Sequence, residues 1–535
     1  MTRKDSRKRN KSRKQKKQIT RESMVRSASA DYSDAANSDA GETVQSSMNM
    51  NKFELAVLCV ILLVSLVLNL SNNNFPLGYH ADEPEKVESI KTGYQDFRHP
   101  ILTLQVVRVL NLALGIEDDQ ALVRLGRSTT AVFGVLIVLL SYLIFRPLLD
   151  RTYALVCAGA IAISPIMVVH AHYLKEDMIL TCFSFLTLLI LLKAIRTPNF
   201  KLMCLLGLST GLAWSSHYKG FLLVPVLLAA PLLLLTPPKR TLDYYKAVPI
   251  SLAIALCTFL IINYPLFTDF DTFIKGFLYE KRHVLAGHKV KIDALSTFFS
   301  FHLRYSLIPG ITLLLTVLGL LGILYALFHW KRKTTWRERI LILYFVVFYG
   351  AVELMPLKPF PGYIRYVIPA VPVIIYFVYK TIAVVDDFLK GTKFRFLTAV
   401  LITVTLLLPL YRSVRLVYYL NHDTRAEARK WIEDSFGRAK YEQYAAIRPH
   451  VSSITSLYVD RERAKGVTHL VASSMMYERY RIGSRLKGQK QIVYLIQRKY
   501  EYLFSHYPVE EFKPAYRTFS FSNPTIRIVD IIQPK

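Results

Sequence analysis

The chain has 535 residues, 52% of them hydrophobic, with a mean hydropathy of +0.28. Its apolar residues gather into long runs with the charges between them, which excludes most soluble enzymes. Lys and Arg number 68 against 39 Asp and Glu, a formal charge of +29; orientation signals and anionic lipid account for such a balance in a multi-span protein as well as nucleic acid does. The five cysteines, Cys59, Cys157, Cys182, Cys204 and Cys257, all lie in apolar runs without a C-x-x-C spacing, which argues against a disulfide framework or a cysteine zinc site.

Residues 1–27 carry twelve Lys and Arg and two acids, and 28–51 are mostly Ser, Ala, Asp and Asn. Neither stretch can bury a core, so 1–51 reads as a disordered basic tail, either a cytoplasmic anchor or a binder of RNA or lipid. The apolar run 53–70 is as long as a true span and has no small-residue cleavage site after it, unlike a signal peptide. A span takes roughly 17–25 mostly apolar residues. Eleven candidates follow: 53–70, 121–145, 152–171, 177–195, 202–217, 220–236, 247–265, 306–329, 340–355, 366–382 and 394–412.

The positive-inside rule supports that count. With a cytoplasmic tail, the cytoplasmic connections carry Arg146 and Arg151; Lys193, Arg196 and Lys201; Lys239, Arg240 and Lys246; Lys331, Arg332, Lys333, Arg337 and Arg339; and Lys390, Lys393 and Arg395. The opposite face holds the acids, histidines and isolated cations in 71–120, 172–176, 217–219, 266–305, 356–365 and the C-terminal region. Ionisable groups at membrane depth are costly and usually functional, so that face is the expected reaction face.

The first far-side loop begins Tyr79-His80-Ala81-Asp82-Glu83-Pro84-Glu85-Lys86. Adjacent side chains diverge, so at most one of Asp82 and Glu83 faces a given substrate atom. Pro84 and the acids also suit a helix start, which leaves both readings open. His99-Pro100 then opens an amphipathic stretch, Ile101–Leu114, expected to lie flat on the membrane with Arg108 upward.

An Asp-Glu after the first span, with a His-Pro opening an interfacial helix, resembles the GT-C superfamily of integral-membrane glycosyltransferases. The branches it is most similar to are the protein O-mannosyltransferases and the lipid A aminoarabinose transferases. His172-Tyr173-Leu174-Lys175-Glu176-Asp177 resembles the family's second-loop acid. Gly211-Leu212-Ala213 with Tyr218-Lys219-Gly220 resembles its small-residue helix ending in Thr-Lys-Gly. Arg365-Tyr366-Val367-Ile368-Pro369-Ala370-Val371-Pro372 resembles its Arg-Tyr-x-x-Pro-x-x-Pro, with Lys358 upstream. Asp423-Thr424-Arg425, Trp431-Ile432 and Asn523-Pro524 resemble a C-terminal domain of bacterial and archaeal members.

The resemblance implies an all-α polytopic membrane protein of about eleven transmembrane helices, GT-C-like over 52–412, with a small extracytoplasmic α/β domain over 413–535. It implies a donor sugar on a polyprenyl or dolichyl phosphate, moved with inversion to an acceptor hydroxyl on a protein, glycolipid or cell-envelope glycan. Asp82 is the expected base, with Glu83 as the fallback. Asp177 is expected to position the acceptor or a cation. His99, Lys219, Lys358, Arg365 and Tyr366 are the expected substrate-binding residues, the cations clamping the lipid phosphate. The alternative reading has Lys219, Lys358 and Arg365 snorkelling to headgroups and Asp177 capping the fourth span.

No cofactor is expected. A divalent metal on His80, His99, His170 and His172 is the weaker alternative, since no H-E-x-x-H occurs. The loop 266–305 mixes aromatics with Lys281, Arg282 and His283, as a lid or an interfacial helix. In 413–535, Ala426–Ser435 is predicted helical with Trp431 and Ile432 inward, and Val467–Ser473 and Ile526–Ile531 are predicted strands. The aromatic-basic run Tyr494–Tyr507 faces the wrong compartment for nucleic acid, so no nucleic-acid partner is expected. The alternative function is a lipid-linked-sugar flippase or transporter. The lack of a large carbohydrate-binding insert points to a bacterial or archaeal plasma membrane.

Overall fold

The computed structural model describes residues 50–535 except 235–237, 287–288, 332–333, 357–361, 436, 447–449, 517 and 520. Residues 1–49 of the predicted basic tail, Lys358, Arg332 and Lys333 lie outside the described residues. Helix α1 (Lys52–Leu70) is followed by the short α2 (Glu83–Thr92) and α3 (Leu102–Leu114), both in the first loop. Asp118 caps α4 (Asp119–Phe145), its carboxylate accepting from the Ala121 N–H at 2.7 Å. At about 1.5 Å per residue, the 27 residues of α4 measure about 40 Å and exceed a hydrocarbon core of about 30 Å. Its first turns therefore stand beyond the apolar layer, among the loop helices.

The helices α5 (Arg151–Ala162) and α6 (Pro165–Ala171) form one apolar unit bent by 50°. Next come α7 (Glu176–Ala194), α8 (Phe200–Ser216), a 3-10 turn at Tyr218–Leu222, α9 (Leu223–Ala229), α10 (Pro238–Ile262), α11 (Pro265–Thr268) and α12 (Phe270–Ala286). A π turn at Leu303–Leu307 leads into α13 (Ile308–Ile311) and, across a 112° bend, α14 (Leu313–Phe328). Then follow α15 (Trp336–Leu354), a 3-10 segment at Gly362–Ala370, α16 (Val371–Leu389) and α17 (Phe396–Tyr419).

Among the described residues six helices are long and apolar enough to cross a membrane, or eight with each bent pair taken as one span. The expected eleven spans are not confirmed. The three others are 202–217, where α8 has only 17 residues; 220–236, broken between a 3-10 turn and α9; and 340–355. In the last case α15 opens with Arg337, Glu338 and Arg339 and carries Glu353 near its end, so its charge-free stretch, 340–352, is shorter than the roughly 17–25 residues of a span.

Small residues bring α8 and α10 together. A Cβ on Gly207 would stand 2.5 Å from the Ser251 carbonyl oxygen, and one on Gly211 would stand 2.6 Å from that of Ala255. That four-residue spacing lets two backbones approach, where packing rather than hydrophobicity joins helices. Gly211→Leu is expected to cost at least about 2 kcal/mol by overpacking and to lower the thermal midpoint of the detergent-solubilised protein.

The C-terminal region holds α18 (Thr424–Asp434), β1 (Ala439–Tyr441), α19 (Val459–Ala464), β2 (His469–Ser473), α20 (Ser474–Gly483), α21 (Gln491–His506), β3 (Val509–Phe512) and β4 (Ile526–Asp530). The sheet order is β1-β2-β4-β3, with β1 parallel to β2 and the other pairs antiparallel. The predicted strands and helix are present. Of the two side chains expected inward on α18, Ile432 is buried but Trp431 is 37% exposed. Aromatics of the Tyr494–Tyr507 run serve the core, Tyr500 packing among Tyr477, Tyr480 and Phe504.

Beneath them Glu442 is fully buried and accepts from the Tyr500 hydroxyl, the Ser453 hydroxyl at 3.1 Å, and the Ile454 and Ser473 N–H groups at 3.1 and 3.2 Å. Burial outweighs these donors and pushes its carboxyl from 4.5 to about 7. Between those values the folded chain binds the extra proton. The stabilisation is therefore full below about 4.5 and is lost as pH rises through about 7. It amounts to about 3 kcal/mol. Thermal unfolding between pH 5 and pH 8 is expected to show a smaller loss of stability in Glu442→Gln than in wild type.

Candidate active site

The first loop folds because α2 and α4 are tied at their bases. Glu83 is wholly buried and pairs with Arg127 of α4, at 2.9 Å from Nε and 2.5 Å from Nη2. It also accepts from the Leu174 N–H at 3.1 Å. The Arg127 guanidinium sits 3.5 Å from the Phe75 ring centroid and donates to the Phe75 carbonyl at 2.6 Å. Glu83 therefore holds the loop, and the neighbouring Asp82 turns the other way.

Asp82 is 44% exposed and accepts from Lys175 Nζ at 2.6 Å. Arg365 reaches the same carboxylate oxygen at 3.6 Å and, through Nε, Asp177 at 3.6 Å. Asp177 also pairs with Lys219 at 3.0 Å. On the other side Lys175 lies 3.4 Å from Glu176, which pairs with Lys86. The groups form one chain: Lys86, Glu176, Lys175, Asp82, Arg365, Asp177, Lys219. Cations and carboxylates alternate along it, so each carboxylate from Glu176 to Asp177 is held between two cations. Partial burial raises the Asp82 carboxyl, but Lys175, His80 and Arg365 outweigh it and hold the group well below the usual carboxylate range. Burial likewise drives the His80 and His99 imidazoles well below their ordinary value, so both are neutral.

The chain opens onto a cavity of about 720 Å³ whose wall includes Asp82, His99, Lys175, Arg365 and Tyr366. Asp177 and Lys219 are not on that wall. They stand behind Arg365, and Lys219 Nζ lies 4.5 Å from the Tyr366 ring centroid. Glu83 is absent from the wall too. Three wall residues that the sequence left without a role come from α12: Tyr279, Glu280 and His283. The expected lid or interfacial helix at 266–305 is thus a helix with one face on the cavity. The mix of aromatics and basic residues in this loop pointed to such a helix, but not to which residues turn inward. Lys175 was inside a quoted motif, yet its partner is 93 residues away, beyond what spacing reveals.

The C-terminal region closes the cavity with Gln443, Tyr444, His450 and Phe521. Its placement depends on the motifs around Asp423 and Asn523. Arg425 pairs with Asp423 at 2.7 Å and donates to the Tyr79 carbonyl at 2.9 Å. Asp423 accepts from the Asn523 N–H at 2.7 Å, and Asn523 Oδ1 accepts from the Thr424 N–H at 3.0 Å. The Phe521 ring then lies 4.3 Å from His80, two residues before Asp82.

Among the described residues no three His, Cys, Asp or Glu side chains are grouped to hold a metal. The His172 ring nitrogens lie 2.7 and 2.9 Å from the carbonyl oxygens of Val168 and Ser71, and Asp82 and Asp177 are paired with cations. This donor set does not fit a divalent ion.

The family model of dolichyl-phosphate-mannose-protein mannosyltransferases matches residues 110–264. No curated protein matches the chain. The structure resembles the archaeal oligosaccharyltransferase AglB of Archaeoglobus fulgidus, solved with an inhibitory peptide and a dolichol-phosphate, at TM-score 0.56 and 14% identity over 86% of this chain and 73% of that one. It resembles the Saccharomyces cerevisiae Pmt1-Pmt2 protein O-mannosyltransferase bound to its sugar donor, at TM-score 0.56 and 11% identity over 69% and 90% of the two chains. The fold is that of the GT-C membrane glycosyltransferases. ArnT of Cupriavidus metallidurans, solved with undecaprenyl phosphate, matches at TM-score 0.50 and 14% identity over 89% and 97%. The GT-C resemblance read from the sequence is borne out, as is the class of enzyme, a glycosyltransferase in an integral membrane protein. Nothing in these matches favours the flippase alternative.

Proposed function

We propose that this GT-C glycosyltransferase takes a sugar from a polyprenyl or dolichyl phosphate and transfers it to an acceptor hydroxyl at the extracytoplasmic face. The observation that carries this reading is the part-exposed Asp82 beside Lys175 and Arg365 on the wall of one cavity, which residues of the C-terminal region also line. Support for the carrier comes from the AglB and ArnT structures, which hold dolichol-phosphate and undecaprenyl phosphate. The acceptor oxygen attacks the anomeric carbon, the carbon–oxygen bond to the phosphate breaks, and the phosphate leaves with the electron pair. The hydroxyl proton goes to Asp82.

A carboxylate held so far below its ordinary range is a weak base in the ground state. Asp82 therefore orients the hydroxyl first and accepts its proton late, once the new bond has acidified it. Arg365 is the wall cation for the leaving phosphate. Lys219 adds positive field from behind, and Asp177 fixes the orientation of both, which makes it a positioning residue. Lys358 keeps its proposed place as a second phosphate ligand from the sequence motif alone, His99 and Tyr366 line the sugar's side, and attack opposite the phosphate inverts the anomeric carbon.

The test is transfer of label from a panel of radiolabelled polyprenyl-phosphate sugars to native membrane extract by the purified protein. Wild type is expected to transfer label. Arg365→Ala is expected to lose on the order of 10²–10³ in kcat/KM, the scale for a group facing developing negative charge. Carrier binding without transfer from any donor would overturn the reading.

A further inference from the structure

A second basic cavity lies outside the ion-pair chain. It encloses about 570 Å³ between the transmembrane helices and the C-terminal region. Arg304 and Arg412 come from the membrane side, and Arg481 and Arg485 from α20 and the turn after it. Glu478, the one acid on its wall among the described residues, pairs with Arg481 at 3.3 Å. Among the described residues Arg304, Arg412 and Arg485 have no carboxylate partner; Arg412 reaches only the Pro309 carbonyl, at 3.4 Å. Four guanidinium groups around one cavity with a single carboxylate repel one another across the contact of the two parts. An anion between them would turn that repulsion into bridging, and guanidinium forks match phosphate oxygens in pairs.

The position of the cavity selects the source of the phosphate. The arm Leu303–Ile311 meets the apolar α14 at 112°, so an α14 that crosses the membrane lays this arm along the membrane surface. Arg304 is on that arm, and Arg412 is near the end of the apolar α17. Tyr305 and Tyr516 on the wall supply the amphipathic rings that sit at headgroup level. The segment that carries Arg365 separates the two cavities, turning Tyr363 and Ile364 to this one and Arg365 and Tyr366 to the other.

We propose that this cavity binds the phosphate headgroup of an anionic membrane lipid, which fastens the C-terminal region to the membrane part. The inference does not rest on the transferase reading, because binding is read without any sugar donor. The experiment titrates the full-length protein in detergent with short-chain phosphatidylglycerol, phosphatidylcholine and inorganic phosphate, following bound lipid by native mass spectrometry and the thermal midpoint. Phosphatidylglycerol is expected to bind and raise the midpoint, with phosphatidylcholine at least tenfold weaker. The double variant Arg412→Gln/Arg485→Gln is expected to lose at least tenfold in phosphatidylglycerol affinity. Arg485→Gln alone changes an exposed side chain, so it keeps the test readable if the double variant fails to fold, with a several-fold loss expected. Equal binding of the two lipids, or equal affinity in folded Arg485→Gln and wild type, would overturn the proposal. Inorganic phosphate binding as tightly as phosphatidylglycerol would overturn the lipid assignment and leave a soluble phosphate site.

Discussion

Asp82→Asn is expected to lower kcat by on the order of 10²–10⁴ while the protein remains folded, the range for a lost general base. The substitution keeps the shape of the side chain and removes its charge and its capacity to accept the proton. Folding tolerates it because Asp82 is 44% exposed, and Lys175 keeps Glu176 at 3.4 Å. Donor binding should change far less than turnover, since Arg365 keeps Asp177 and stays oriented. The pH profile supplies a second readout. The Asp82 carboxyl lies well below the ordinary aspartate value of 3.8, so the acid limb of kcat/KM in wild type is expected below that value. A limb near pH 6 would assign the base to another group. Full turnover in folded Asp82→Asn would remove Asp82 from the mechanism and shift the search to Glu280 on the α12 wall.

What the sequence revealed, and what it hid, follows from the range of each interaction. Apolar runs and caps are local, so most helices and the strands β2 and β4 were readable. The span count is unconfirmed where locality fails: α15 is charged at both ends and leaves a short apolar stretch between them, and 220–236 has the hydropathy of a span but breaks. The divergence of Asp82 and Glu83 was also readable, because neighbouring side chains on a helix start must part. Which acid faces the cavity was not, since Arg127 lies 44 residues from Glu83 and Lys175 lies 93 from Asp82. Arg365 and Tyr366 were placed by their motif. Asp177 and Lys219 join the same ion-pair chain, off the cavity wall, which no motif could show. The α12 wall was missed because an amphipathic helix beside a membrane looks the same whether its polar face meets water or substrate.

The neighbouring acid gives the opposite experiment. Glu83→Gln is expected to destabilise the protein by about 3–5 kcal/mol, because it leaves the wholly buried Arg127 without its counter-charge. Arg127 keeps the Phe75 carbonyl at 2.6 Å and the Phe75 ring, but neither carries a negative charge to replace the carboxylate. The Gln Oε1 can still accept from the Leu174 N–H, so the loss falls on the charge of Arg127 rather than on that hydrogen bond. Thermal unfolding in detergent should therefore shift markedly, whereas turnover per folded molecule below the transition should stay within a few-fold of wild type. The double variant Glu83→Gln/Arg127→Met is expected to recover part of the lost stability, since an uncharged pair of similar volume removes the unpaired buried cation. The same logic rules out recovery for Asp82→Asn, whose defect lies in turnover. A Glu83→Gln protein that is fully stable but inactive would reverse the two roles and make Glu83 the acid that meets substrate.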